Sequence, residues 1–169
     1  MRTKRKNSIL LVIRNLISTV LFLLPVKELD LFNENYSTIS LTTRGYLCLL
    51  FIGIIIGSLL SIETSMIKNK KNGLLMFASI LIGVIIPHHV PYDFQGNIHL
   101  LFAYIGFAGL VSLTIINCSN SKDRDIYLLL IFLSILIYLK YGMVNTLSEI
   151  IVMISSLFFN LYNVLKKKI

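Results

Sequence analysis

The chain has 169 residues, 56% of them hydrophobic and 14% charged, with a net charge of +8 and a mean hydropathy of +0.80. Soluble domains carry roughly 25% charged residues, so this composition lacks the polar surface to cover a globule in water. It also argues against a nucleic-acid partner, because the basic residues fall in short clusters between apolar runs and not along one continuous face. Six spans of about 20 residues would use about 120, and the remainder suffices only for short loops. The expectation is an all-α polytopic transmembrane helical bundle of about six helices, a single integral membrane domain over residues 1–169.

Span one covers about 8–24 and stops at Pro25. The preceding MRTKRKN resembles the start of a signal peptide, but LLPVKEL offers no small-x-small cleavage site, which favours an uncleaved anchor. A polar loop with Glu28, Asp30, Glu34 and Arg44 leads to span two at about 46–62. Span three, about 73–87, is short, so its ends lie in the interface or the membrane thins around it. Spans four, five and six follow at about 98–116, 126–139 and 147–165. The three resulting hairpins share no residues at matching loop offsets, so no internal repeat is visible.

Charge orients this arrangement. Arg2, Lys4, Arg5 and Lys6, then Lys68, Lys70 and Lys71, then Lys122 and Arg124, then Lys166, Lys167 and Lys168 all fall on one side. The other side holds Lys27, Arg44 and Lys140, together with the acidic Glu28, Asp30, Glu34 and Asp93. The positive-inside rule then puts both termini in the cytoplasm. The lipid bilayer is the expected partner, its anionic head groups meeting the basic inner loops, with another membrane protein as a further candidate. The Ile-, Lys- and Asn-rich usage points to an AT-rich genome and a bacterial plasma membrane. Cys48 and Cys118 fall near opposite faces and are not expected to pair.

The segment IIPHHVPYDFQGNIHLLFAYIGF, residues 85–107, holds all three histidines of the chain, His88, His89 and His99, with Asp93 between them. Glu149 opens span six on the same side. Imidazole and carboxylate together suit a divalent metal such as zinc, a proton relay or a general acid–base pair. This makes His99, Glu149 and Asp93 candidate catalytic residues and His88, His89, His99 and Asp93 candidate metal ligands. The plainer reading is that His88 and His89 sit in an exposed Pro-flanked turn and that no cofactor is bound. His99 shares a helix stripe with Ala103 and Phe107 or Gly106, where a small residue lets a neighbouring helix approach. Thr146-x-x-Glu149 has capping-box spacing; alternatively Glu149 faces inward toward His99.

Arg14, within span one, either snorkels to the inner head groups or pairs with Glu63 at the inner end of span two. Gly53-x-x-x-Gly57 gives span two a close-packing face. No P-loop, GxSxG elbow, HExxH or CxxC occurs.

The pattern Gly96-Asn-Ile-His99-x-x-x-Ala103-x-x-x-Phe107, on a six-span chain with a polar loop after span one, resembles the damage-regulated autophagy modulator-like membrane proteins and their uncharacterised bacterial relatives. The resemblance implies a six-helix bundle acting in lipid or membrane homeostasis, with His99 and Ala103 as family positions and no reaction specified. The expected function is that of a small multi-pass plasma-membrane protein, non-enzymatic, acting through lipid or membrane-protein contact in an accessory or immunity-type role. The alternatives are a membrane-embedded enzyme acting on a lipid or lipid-linked group at the outer leaflet and, with few polar groups near mid-membrane, a small transporter.

Overall fold

The computed structural model describes residues 2–67, 70–88 and 93–168. Among the described residues, six α-helices lie over the six apolar runs: α1 (Arg2–Leu23), α2 (Thr43–Ile67), α3 (Lys70–Ile85), α4 (Phe94–Asn117), α5 (Ser121–Tyr141) and α6 (Thr146–Lys168). Two 3₁₀ turns, Leu24–Glu28 and Tyr36–Leu41, shape the long α1–α2 connection. No strand occurs among the described residues.

Among the described residues, four helices are long and apolar enough to cross a membrane, in windows of mean hydropathy 1.5 to 2.4: Ser8–Glu28, Thr43–Glu63, Phe94–Asn117 and Thr146–Lys166. The 16 residues of α3 span about 24 Å at 1.5 Å per residue, less than the roughly 30 Å of hydrocarbon in a bilayer. Asp125 and Lys140 bound the apolar run of α5.

The distribution of polarity is inverted relative to a water-soluble bundle. Ile9, Leu10, Ile13, Leu16, Ile17 and Val20 form an exposed apolar face on α1, and Ile126, Leu129, Phe132, Leu133, Leu136 and Leu139 do the same on α5. The interior holds Leu60, Ile56, Met76, Leu110 and Leu157, but also a comparable set of polar side chains, among them Asn117, Asn145, Asn160, Asn163, Ser148 and Ser156. Apolar surroundings give leucine no reason to hide, whereas an amide there needs a partner inside the protein.

Helix α6 is the centre of this arrangement and packs on α1, α2, α4 and α5. Asn160 Nδ2 donates to Thr114 Oγ1 at 2.8 Å and to the Ser156 carbonyl at 2.9 Å, while Asn117 Nδ2 donates to Asn160 Oδ1 at 3.2 Å. Asn163 Oδ1 accepts from the Ser119 amide and hydroxyl at 2.8 and 2.6 Å, and Tyr127 Oη bonds Ser156 Oγ at 2.8 Å. Polar contacts between membrane helices average about 0.6 kcal/mol each, so their joint effect is to fix register more than to supply bulk stability.

Small residues set the spacing of the other helices. A Cβ on Gly53 would lie 2.8 Å from Val84 Cγ2 and one on Gly57 2.9 Å from Phe77 Cδ2, which brings α2 against α3. Between α3 and α4, a Cβ on Gly83 would sit 3.1 Å from the Ala103 amide nitrogen, and one on Gly106 would sit 2.8 Å from Ile80 Cγ1 and 3.2 Å from its backbone nitrogen. Gly106→Val is therefore expected to cost about 1–3 kcal/mol through overpacking and to lower the Tm measured in detergent. Gly109→Ala, whose Cβ would meet only Met76 at 3.6 Å or beyond, is expected to leave the Tm unchanged or raise it, since alanine is the better helix former.

Candidate functional site

The α1–α2 connection folds across the start of α6. Helix starts leave amides without intrahelical acceptors, and here loop carbonyls supply them. The Thr146 amide and hydroxyl donate to the Glu34 carbonyl at 2.6 and 2.8 Å, and the Leu147 amide donates to the Leu31 carbonyl at 3.1 Å. The Asn145 side chain accepts from the Ser148 amide at 3.0 Å, and the Ser148 hydroxyl accepts from the Asn145 amide at 3.1 Å. The reciprocal cap is thus Asn145 with Ser148, which corrects the capping-box reading of Thr146 and Glu149.

Freed from capping, Glu149 faces inward. Its Oε2 accepts from the Tyr36 amide at 2.7 Å. Tyr36 stacks on Phe22 with ring centroids 4.3 Å apart, and its hydroxyl donates to the Phe22 carbonyl at 2.6 Å. Burial, and then the neighbouring Glu149, push the Tyr36 phenol up from its ordinary pKa, so it stays protonated at neutral pH. It is a clamp between α1 and the loop.

His99 is buried on the first turns of α4. Its Nδ1 lies 2.8 Å from the Ile86 carbonyl and its Nε2 lies 3.0 Å from Ser37 Oγ. A carbonyl only accepts, so Nδ1 carries the proton, and Nε2 accepts from the Ser37 hydroxyl. This links the end of α3, the start of α4 and the loop through one ring. His88 is also buried, its ring 5.4 Å from that of His99 at 60°, and its amide donates to Ser40 Oγ at 3.3 Å. His88 therefore belongs to the packed interior and is not in an exposed turn, because Ser40 and His99 give its backbone and ring their surroundings. His89 lies outside the described residues. Asp93 caps α4, its Oδ1 accepting from the Gly96 amide at 2.8 Å.

His99 and Glu149 meet at one cavity of about 180 Å³ between α2, α3, α4 and α6. Its walls include Ile52, Gly53, Ile80, Val84, Ala103 and Leu110, and its polar groups, Tyr36, Ser37, His99 and Glu149, belong to the loop side of the bundle. A second cavity of about 310 Å³, bordered by Tyr104, Tyr138 and Ser134, shares Ala103, Phe107 and Glu149 with the first. It lies where α4 and α5 barely touch. Among the described residues, no group of three or more His, Cys, Asp or Glu side chains is placed to hold a metal.

Toward the other end of the bundle, Glu63 is fully buried and takes a hydrogen bond from Asn15 Nδ2. No ion pair joins it to Arg14 among the described residues, and Arg14 is exposed beside a cleft between α1 and α2. Cys48 and Cys118 are unpaired thiols. No known protein family matches the chain, and no curated protein or solved structure matches it.

Sequence reasoning reached His99 and Glu149 through their chemistry inside apolar helices. Ser37 and Tyr36 lie in a loop with no periodicity, and only their distance from a predicted span hinted at burial. Replacing His99 by Phe keeps a ring but leaves the Ile86 carbonyl and Ser37 without their partner. It is expected to cost about 1–3 kcal/mol for the orphaned groups, read as a lower Tm and faster proteolysis in the 24–45 loop.

Proposed function

We propose that the chain is a six-span protein of the bacterial plasma membrane, both termini cytoplasmic, that acts without catalysis by holding an amphiphilic lipid in its interior. The observation that carries this reading is the cavity between α2, α3, α4 and α6, apolar along its walls and polar only toward the loop. Apolar cavities of about 150 Å³ stay dry and take up small hydrocarbons, so one of about 180 Å³ suits part of an acyl or isoprenoid chain. The half-buried Glu149 supplies an acceptor for an amine or hydroxyl head group. The gap beside α5, sharing Glu149 and Ala103 with the cavity, supports entry from the side, directly from the bilayer.

The basic clusters at the opposite end support an outward-facing loop. In this reading α3 crosses with its ends at the interface, and Lys140, lying 5.3 Å over the Tyr141 ring, anchors α5 as interfacial cations and aromatics do. The lipid role agrees with what the resemblance to autophagy-modulator-like proteins implies.

One observation favours a second reading, a lipid-acyl hydrolase or transferase. Ser37 Oγ donates to an imidazole whose tautomer is set by a backbone carbonyl, the arrangement of an activated serine. Ser37 would attack an acyl ester while His99 passes its proton to the departing alcohol.

Two measurements test these readings. Single cysteines placed at Asp30 and Asp125, on a Cys48→Ser/Cys118→Ser background, are expected to react with a membrane-impermeant maleimide at residue 30 only in intact cells; labelling at 125 would overturn the orientation. A diazirine-tagged phosphatidylethanolamine in nanodiscs is expected to crosslink Leu49, Ile52 or Met153, and Met153→Trp is expected to abolish the crosslink without lowering the Tm. Crosslinking confined to outward residues such as Leu16 or Leu129 would sink the lipid reading. Covalent capture of Ser37 by a fluorophosphonate probe, lost in Ser37→Ala, would replace it with the hydrolase.

A further inference from the structure

Glu63 has no solvent exposure and Asn15 only 4%. The two hydrogens of Asn15 Nδ2 are both used, one on the Leu11 carbonyl at 3.2 Å and one on Glu63 Oε1. Two atoms remain, Glu63 Oε2 and Asn15 Oδ1, sealed from solvent and without a hydrogen-bond partner. If Glu63 is ionised, both are acceptors, and nothing among the described residues donates to either. Buried polar atoms without partners are rare enough to require an explanation.

Among the described residues, no cation offsets a charge there. On α1 the ionisable neighbour is Arg14, exposed beside the cleft it shares with Ser18 and Ser58 and unpaired with Glu63. The buried polar side chains toward the same end of α6 are the neutral Asn160 and Asn163, while Lys166 is engaged by Asp123 at 3.6 Å. Lys71, at the start of α3, is exposed. His99 and Glu149 occupy the cavity toward the loop. An ionisable group inside a membrane bundle without a counter-ion is a candidate functional site.

One added proton resolves the whole inventory. With a hydrogen on Oε2, Glu63 donates to Asn15 Oδ1 while Asn15 Nδ2 donates to Glu63 Oε1, the two-bond ring that carboxylic acids form with primary amides. We propose that Glu63 is a proton-binding site within the membrane domain, a neutral carboxylic acid held by Asn15. The cleft of about 320 Å³ between α1 and α2, which reaches Ile62 beside Glu63 and Ser18 one turn from Asn15, gives the proton its polar approach.

The test is infrared spectroscopy of the full chain in nanodiscs at neutral pH, joined to carbodiimide labelling. The wild type is expected to show the carbonyl band of a protonated carboxylic acid, shifting down in heavy water. Glu63→Gln is expected to lose that band and keep its Tm, because glutamine closes the same ring with Asn15; Glu149→Gln is the control for the other buried acid. Asn15→Leu is expected to shift the band upward as the carbonyl loses its donor. Dicyclohexylcarbodiimide, which attacks protonated carboxyls in apolar surroundings, is expected to leave one adduct on Glu63. A band unchanged by Glu63→Gln, or a Glu63→Gln protein markedly more stable than wild type, would show that the native residue is charged and overturn the proposal. Failure of the lipid crosslink at Met153 leaves this outcome untouched, since the two sites share no residue.

Discussion

The bundle depends on a stripe of amides and hydroxyls down the inside of α6. In an apolar environment, leucine surfaces give helices little preference for one another over lipid, so packing alone leaves rotation and sliding weakly determined. Ser148, Ser156, Asn160 and Asn163 recur at nearly every turn of α6 and face inward. Three of them reach different neighbours: Asn160 reaches α4, Ser156 reaches α5, and Asn163 reaches the short turn between them. A one-residue slip of α6 would strand several of these groups together, and that shared penalty makes the arrangement unique. The glycines of α2, α3 and α4 then set how closely the remaining helices approach.

The cavity follows from the same geometry. Helix α4 is held to α3 by glycine contacts and to α6 by Asn160, which leaves its other flank nearly unattached to α5. A second hydrophobic cluster of Tyr127, Ile131, Val152 and Phe159 ties α5 to α6, with Val111 and Ile115 of α4 packed against it. The gap bordered by Tyr104 and Tyr138 lies beyond that cluster, toward the loop. The loop then roofs the interior through Tyr36, whose ring and hydroxyl engage Phe22 of α1 and whose amide engages Glu149 of α6.

Much of this is legible in the residue pattern, and the exceptions have physical causes. A helix lies over each apolar run read from the sequence, and four of those helices are long and apolar enough to cross a membrane among the described residues. His99 drew attention as an imidazole opening an apolar helix. Its partner Ser37 did not, because a serine in a polar loop carries no periodic signal of burial. Glu149 was compatible with a cap on Thr146 by spacing alone; Asn145, one residue before Thr146, is the stronger N-cap and released it. Glu63 invited the nearest opposite charge, Arg14, yet adjacent residues on a helix point about 100° apart, so Arg14 and Asn15 cannot both reach Glu63. Asn15 does.

The roof joins distant parts of the chain. Tyr36 meets Glu149 across 113 positions, and Glu34 meets Thr146 across 112. A ribosome feeding this chain into a membrane completes the loop long before α6 exists. Until then, Tyr36 and the Glu34 carbonyl lack their counterparts, and α4 lacks Asn160. The chamber closes only once α6 has emerged, long after the loop and α4, so the order of synthesis makes α6 its keystone. A chain stopped short of it would be an assembly of apolar hairpins with an uncovered interior, the kind of species that membrane quality control removes.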